Sequence, residues 1–416
     1  MSKKLLLFRG PVKTISGYGA HSRDVLYSLY KMDCFDIKID SCLWGYTPMT
    51  ALENDNPFHK WIEENIINEL NIKPDIYVQV TIPSEFNPIG KFNIGVTAGI
   101  ETTIIPKDWI DGCNRMNLVI TTSNFSKEVM EKTMYNEVDK NTNELIGIHK
   151  IKSKVEVLFE GVDTRIFDNS KSDFELNIDE EFSFLFVGHW LKGALGQDRK
   201  DVGMLIRTFC EAFKDYTNKP SLILKTSSAT FSIKDREMFK KKIRSLTADF
   251  NNPPSIYLLF GELTNKEMNQ LYNHDKIKSM VSFTKGEGFG RPLLEFTMTG
   301  KPVIASNWSG HKDFLPMNKS ILLEGTLTDV HESSADKFIL KDSKWFTVNY
   351  EEAVKTLRHV FDNYNSYLDN SKLLMEENKN NFSIEMMNKK LSEILKPIND
   401  YPVEKKLNLP KLTKIS

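Results

Sequence analysis

Long apolar runs are missing from this chain. No stretch approaches the ~18 consecutive apolar residues needed to cross a bilayer, so no integral membrane segment is expected. The start, MSKKLLLFRG, is basic but offers only Leu5 to Phe8 as an apolar run, too short for a secretory leader and suited to a first strand. Cysteine is scarce. Cys34, Cys42, Cys113 and Cys210 show no C-x-x-C spacing and read as reduced thiols of a cytoplasmic protein. Net charge is almost absent too, at -1. Long-range attraction to nucleic acid is therefore not evident, and a DNA-binding face would have to be a local patch. No D-x-D triplet occurs, and the eight histidines form no H-x-x-x-H pair, so metal-independent chemistry is expected. The first glycine-rich turn lacks the G-x-G-x-x-G spacing of a dinucleotide site, which argues against an NAD-dependent dehydrogenase.

What remains is a chain of 416 residues, too long for one ordinary core, with 40% hydrophobic and 27% charged residues. Short β-branched runs alternate with helical patterns. Leu5–Phe8, Phe35–Ile39, Ile76–Val80, Ile94–Thr97, Leu118–Thr121 and Val155–Phe159 are expected strands of a first half. Phe182–Val187, Leu222–Leu224, Ile256–Phe260, Met280–Phe283, Val303–Ala305 and Ile321–Leu323 are those of a second. Such alternation implies an α/β protein with two doubly wound parallel sheets. Ligands then belong at the carboxyl ends of the strands, in a cleft between the domains. The polar, acid-rich stretch from Gly161 to Glu181 is the expected hinge.

The most informative segment is KGEGFGRPLLEFTMTGKPVIA, residues 285–305. Glu287 sits in a loop with Gly286, Gly288 and Gly290. Glu295 lies about a turn inside a helix expected from Pro292 to Thr299, with Gly300 just past its end. Glycines free backbone N–H groups and permit close approach, and a helix entrance attracts an anion. A diphosphate on the N–H groups and hydroxyls on the carboxylates suit a sugar nucleotide.

This segment resembles the signature of retaining glycosyltransferases of the GT-B fold, family 4: two glutamates separated by seven residues, here EGFGRPLLE at 287–295, followed by GKPVIAS at 300–306. The Gly161-Val162-Asp163 segment with Phe167 also fits that family. The resemblance implies two Rossmann-like domains facing a cleft: an acceptor domain at 1–170, a donor domain at 180–380, and a segment at 381–416 that crosses back to the first. It implies a nucleoside-diphosphate sugar, UDP or GDP, as donor and no cofactor. Catalytic roles fall to Glu287, Lys200 and Arg199. The donor falls to Gly288, Phe289, Gly290, Arg291, Leu294 and Glu295, with Glu287 on sugar hydroxyls and Glu295 on the ribose. The family has an arginine where this chain has His189. Arg199 and Lys200 precede a helix, an unfavourable place for cations unless they hold a diphosphate. Lys225, taken as the end of a strand, is expected to point into the cleft or to snorkel there.

Across the cleft, the resemblance brings Ser16, Gly17 and Gly19 to the donor phosphate and makes His21 an acceptor-side candidate. Glu101 is either an acceptor contact or a cap, and Trp308 either lines the sugar pocket or packs its own loop. The opening segment is also similar to glycosyltransferase-like chains of bacteriophage and bacterial genomes, which would make the compartment the host cytoplasm. The acceptor stays open among glycan, lipid-linked glycan, protein and hydroxymethylated bases of phage DNA. So does the oligomeric state. The rival readings are a GT-B epimerase or phosphorylase and a non-catalytic nucleotide-sugar-binding subunit.

Overall fold

The computed structural model describes residues 3–139, 141, 142, 144–228 and 232–399. The Lys-rich segment at 400–416 lies outside the described residues. The first sheet holds β1 (Lys4–Gly10), β2 (Phe35–Ser41), β3 (Ile76–Val80), β4 (Phe92–Val96) and β5 (Leu118–Thr121). A projecting hairpin, β6 (Met134–Val138) with β7 (Leu145–Lys150), precedes its last strand, β8 (Lys154–Val157). All six strands are parallel, in the order β2-β1-β3-β4-β5-β8. Helices α1 (Gly17–Met32), α2 (Pro57–Glu64), α3 (Lys107–Asn114) and α4 (Asn124–Lys132) connect them.

The second sheet holds β9 (Ser183–His189), β10 (Ser221–Ser227), β11 (Ile256–Leu259), β12 (Ile277–Ser282), β13 (Val303–Ser306) and β14 (Ile321–Leu323). It is again parallel, in the order β11-β10-β9-β12-β13-β14. Its connections are α5 (Val202–Phe213), α6 (Ile233–Thr247), α7 (Asn265–Asn273) and α8 (Arg291–Thr297). An antiparallel hairpin, β15 (Gly325–Asp329) with β16 (Lys344–Val348), follows, then α9 (Tyr350–Asp362), α10 (Leu368–Asn381) and α11 (Ile384–Asn399). Both hairpins went unmarked in the sequence. Several expected boundaries also shift: α8 starts one residue earlier than its proline, and β10 runs on through Ser227.

Local signals explain the helix starts. Ser16, Ser123 and Ser232 cap α1, α4 and α6 with their hydroxyls, and α7 carries a full capping box from Thr264 and Glu267. Packing explains the rest. Ile384, Met387, Leu391, Leu395 and Ile398 of α11 belong to the core of the first sheet, with Leu6, Phe8, Val25 and Leu29. Each fully buried side chain of this kind contributes roughly 1.5–3 kcal/mol, against about 0–1 for an exposed ion pair. Apolar burial therefore anchors this helix. The chain leaves and re-enters the first lobe at one place: Val162 and Ser383 form a parallel bridge, closed by the Val162 N–H on the Phe382 carbonyl at 2.9 Å. A phenylalanine-rich core (Phe184, Phe186, Phe209, Phe213, Phe239, Phe283) supports the second sheet. Among the described residues no helix is long and apolar enough to cross a membrane.

Strand order locates the crevices. In the second sheet the order reverses between β9 and β12, and in the first between β1 and β3. The loops after those strands are where an open α/β sheet binds ligands.

Candidate active site

The loop after β12 carries the two-glutamate segment, and its glycines are demanded by contact with the first lobe. A Cβ on Gly288 would lie 2.0 Å from the Ala98 carbonyl oxygen. The Gly288 carbonyl accepts hydrogen bonds from Ser123 at 2.6 Å and Thr122 at 3.2 Å. Gly290 has φ of +100°, a left-handed conformation that disfavours a side chain. The Glu287 N–H donates to the Ser309 hydroxyl at 2.9 Å, and Ser309 itself sits at φ +79°. A strained residue at a ligand crevice is a recurrent mark of function. Among the described residues no protein acceptor faces the N–H groups of Gly288, Phe289 and Gly290.

The loop after β9 brings the cations. Asp198 and Asp201 bracket Arg199 and Lys200, and both acids are buried. Asp201 takes a left-handed turn at φ +53° and accepts from the Tyr350 hydroxyl at 2.6 Å, with the Lys285 ammonium 3.3 Å away. The Lys285 N–H in turn donates to the Arg199 carbonyl at 2.8 Å, so this loop is tied to the glutamate loop through the backbone. The Lys200 ammonium pairs with Glu287 Oε1. Arg199 Nη1 donates to the Gly286 carbonyl at 2.9 Å and lies 3.5 Å from Glu287 Oε2 and 3.6 Å from Glu101 Oε1. Burial pushes the Glu287 carboxyl up, but Lys200 and Arg199 more than offset it and hold it at about 2. Burial draws the Lys200 ammonium below its ordinary value, against the pull of Glu287. Two cations, two carboxylates and a set of N–H groups without a protein acceptor thus meet where the two lobes face one another.

A second charged group lies beside it. Arg291, at the start of α8, pairs with Asp24 of α1 and donates to Glu295 at 3.0 Å. The Tyr272 hydroxyl donates to the other Glu295 oxygen at 3.3 Å. Burial raises the Asp24 and Glu295 carboxyls, and Arg291 opposes this at both. Glu160 also feels Arg291, but burial dominates and lifts its carboxyl to about 7. His21 Nδ1 lies 3.9 Å from Glu160, and burial together with Arg291 lowers the imidazole to about 3.

Of the other expected residues, His21 and Lys225 are placed otherwise than anticipated. His21 is fully buried with neither ring nitrogen hydrogen-bonded, so no acceptor can reach it in this state. Lys225 lies within β10 rather than at its end, and its ammonium donates to the Gly261 carbonyl at 2.6 Å. The side chains of Leu294 and Phe289 are in the core, which leaves only their backbone to a ligand. Trp308 packs edge-on against Phe125 and stacks on Phe346, bridging the lobes. Arg291 pairs with two carboxylates, those of Asp24 and Glu295. Ser16 caps α1 through the Gly19 N–H at 2.9 Å, Gly19 is pressed on Thr14, and Gly17 faces open space. His189, the last residue of β9, has its Nδ1 3.2 Å from the Ser227 hydroxyl. Desolvation, Lys200 and Arg199 lower its pKa.

Sequence reasoning missed Asp24, Glu160, Tyr272 and Ser123. Only Ser123 carried a legible signal, as a serine closing an apolar run before a helix; its reach to Gly288 did not.

Residues 206–346 match the family described as Glycosyl transferases group 1, a span that includes the whole 285–305 segment. No curated protein matches the chain in sequence. Solved structures match it in fold. A glycosyltransferase from Rickettsia africae ESF-5 superposes with a TM-score of 0.62 at 15% identity, covering 97% of this chain and 100% of that one. Sucrose-phosphate synthase from Thermosynechococcus elongatus gives 0.61 at 12%, covering 95% and 99%. Anabaena Alr3699/HepE in complex with UDP and glucose gives 0.58 at 12%, covering 95% and 100%. At such identities the likeness establishes the fold: the chain has the GT-B architecture, two Rossmann-like halves facing one another.

Proposed function

We propose that the chain moves a sugar from a nucleoside-diphosphate donor to an acceptor hydroxyl with retention of anomeric configuration. The observation that carries this reading is the convergence of Arg199, Lys200 and Glu287 at the carboxyl edge of β9 and β12. The family match over 206–346 supports it, as does the UDP and glucose held by one structural relative. UDP or GDP is the expected nucleotide of the donor.

In the ligand-free arrangement the carboxylates neutralise the cations. An incoming diphosphate competes for Lys200 and Arg199, and Glu287 is released to accept hydrogen bonds from sugar hydroxyls. The exchange replaces one charge-assisted set of bonds with another, so it costs little. The N–H groups of Gly288, Phe289 and Gly290, with Gly17 across the cleft, offer further donors to phosphate and sugar, and Glu295 accepts from the ribose. During reaction the sugar–phosphate C–O bond breaks while the acceptor oxygen bonds the same face. The acceptor proton passes to the leaving phosphate oxygen, so no protein base is needed. The protein's contribution is alignment and a preorganised positive site shielded from water. In this scheme lysine and arginine serve where other enzymes use a divalent cation. The proposed division is an acceptor domain at 1–170, a donor domain at 180–380, and a returning segment from 381.

A thermal-shift panel of UDP, GDP, ADP and CDP sugars tests the reading, because a ligand that binds only the folded state raises the melting point. One nucleotide should stabilise the chain and its sugar should be slowly hydrolysed. Stabilisation by inorganic phosphate alone would point to a phosphorylase. Stabilisation without any turnover would point to a binding subunit.

A further inference from the structure

The residue after Lys200 is held in an unusual way. Asp201 is the N-cap of α5, a place where an aspartate normally accepts from the first free N–H groups of the helix. Its carboxylate makes no capping bond, and the Val202 N–H donates instead to Asp198 Oδ1 at 3.3 Å. Its backbone is left-handed at φ +53°, a conformation that aspartate tolerates better than most residues but still at a cost. A forgone cap and a left-handed turn both fall on the residue beside a cation of the candidate site. Strain at such a place points to a function.

The carboxylate is engaged elsewhere. The side chains of Asp201 and Lys285 are 0% and 1% exposed, with Lys285 Nζ 3.3 Å from Asp201 Oδ2. The Tyr350 hydroxyl donates to the same oxygen at 2.6 Å. The Lys285 ammonium donates to the Thr347 hydroxyl at 2.8 Å and lies 5.8 Å from the centre of the Trp345 ring. Thr347 and Trp345 belong to β16, whose Phe346 N–H donates to the Lys285 carbonyl at 2.9 Å. Lys285 therefore grips the 199–201 turn twice, by its backbone N–H on the Arg199 carbonyl at 2.8 Å and by its ammonium on Asp201, while β16 holds both its backbone and its side chain. Desolvation offsets the attraction in a buried ion pair, so stability alone does not account for this one.

We propose that Asp201 and Lys285, both too buried to touch a ligand, are positioning residues that act through Lys200. The pair anchors the turn from behind, so that the Lys200 ammonium stands on Glu287, two residues beyond Lys285, and is already placed where the donor diphosphate arrives. The inference rests on the glycosyltransferase reading and adds to it the device that sets one of its two cations. Lysine is a point charge on a flexible four-carbon stem, so its backbone has to aim it. Arg199 depends less on the pair, because the Gly286 carbonyl holds its guanidinium directly at 2.9 Å. Tyr350 serves the same purpose one step removed, by orienting the Asp201 carboxylate.

The test is a calorimetric titration of the full chain with UDP, with GDP, ADP and CDP in parallel, in two backgrounds: native, and Lys200→Ala/Glu287→Gln. Two changes are made in each. Asp201→Asn/Lys285→Met removes both buried charges together while asparagine keeps the left-handed turn, and Tyr350→Phe removes only a hydroxyl. In the native background the neutral pair should weaken nucleotide binding about tenfold and Tyr350→Phe about threefold, with melting points close to the parent's. In the background without Lys200 both losses should shrink below about twofold, because the ammonium they misplace is gone. Equal losses in the two backgrounds would make the pair a structural element only and overturn the assignment, as would unchanged affinity of the neutral pair in the native background. Should the neutral pair fail to fold, Tyr350→Phe decides by the same comparison. A native chain that binds no nucleoside diphosphate overturns the underlying transferase reading, and is told apart because it involves no variant.

Discussion

Ser123, the N-cap of α4 in the first lobe, donates its hydroxyl to the carbonyl of Gly288 in the second at 2.6 Å. With the weaker bond from Thr122 to the same carbonyl, it ties the glutamate loop to the opposite side of the cleft. The lobes meet so closely at this point that the loop has no room for a side chain. Gly288→Ala would bring a methyl group to 2.0 Å from the Ala98 carbonyl, a contact that only separation of the lobes can relieve. Overpacking of this kind costs about 1–3 kcal/mol. Donor turnover should fall by orders of magnitude while melting drops modestly, and small-angle scattering should report a larger radius of gyration. Unchanged turnover would show that the closed arrangement is not the working one.

The Lys200–Glu287 pair yields a double-mutant cycle. Lys200→Ala leaves a buried carboxylate short of its main partner, which typically costs about 3–5 kcal/mol. Glu287→Gln in the same background removes the stranded charge. The double variant should therefore regain most of the stability and none of the turnover. Equal stability of single and double variants by denaturant melting would mean that Glu287 does not depend on Lys200 in the free chain.

Glu295→Ala separates binding from architecture. Its carboxylate is shared by Arg291 and Tyr272, and the ribose role asks it to accept two further hydroxyls. Loss of the side chain should weaken nucleotide binding by about 1–3 kcal/mol in a calorimetric titration. Affinity equal to the native value would remove the ribose role and leave Glu295 as a partner of Arg291 alone.

Glu160 predicts a pH dependence. Burial raises its carboxyl from 4.5 to about 7, so between these values the native chain holds a proton that the unfolded chain has released. Stability is then full below the unfolded value and falls as pH rises through the folded one. The loss is at most about 3 kcal/mol, at 1.36 kcal/mol per unit. Glu160→Gln carries no titratable group, so its melting point should equal the native one at pH 4 and exceed it by a few degrees at pH 8. A constant difference across that range would contradict the assignment.

The glutamate loop was legible in the sequence because its constraint is local: glycines, a proline and two acids within nine residues. Arg199 and Lys200 were legible because two cations before a helix are anomalous without an anion. The two parallel sheets followed from alternating apolar runs, and the GT-B architecture bears that expectation out. Asp24 and Glu160 were not legible. Each gains its meaning from Arg291, which lies far away in the chain, and a buried ion pair leaves no periodicity. Lys225 shows the converse error. A lysine after three apolar residues looks like the end of a strand, but its long aliphatic stem allowed β10 to continue beneath it while the ammonium found the Gly261 carbonyl. The first hairpin was invisible for another reason: β6 and β7 expose most of their residues, so they show none of the burial pattern that marks a strand.

The most direct measurement is a crystal structure of the full chain with the nucleoside diphosphate sugar that stabilises it. The account predicts the diphosphate on Arg199 and Lys200, Glu287 parted from Lys200 and hydrogen-bonded to the sugar, and the Gly288–Gly290 N–H groups facing the ligand. A nucleotide bound away from β9 and β12, or one bound there with the Lys200–Glu287 pair intact, would contradict it.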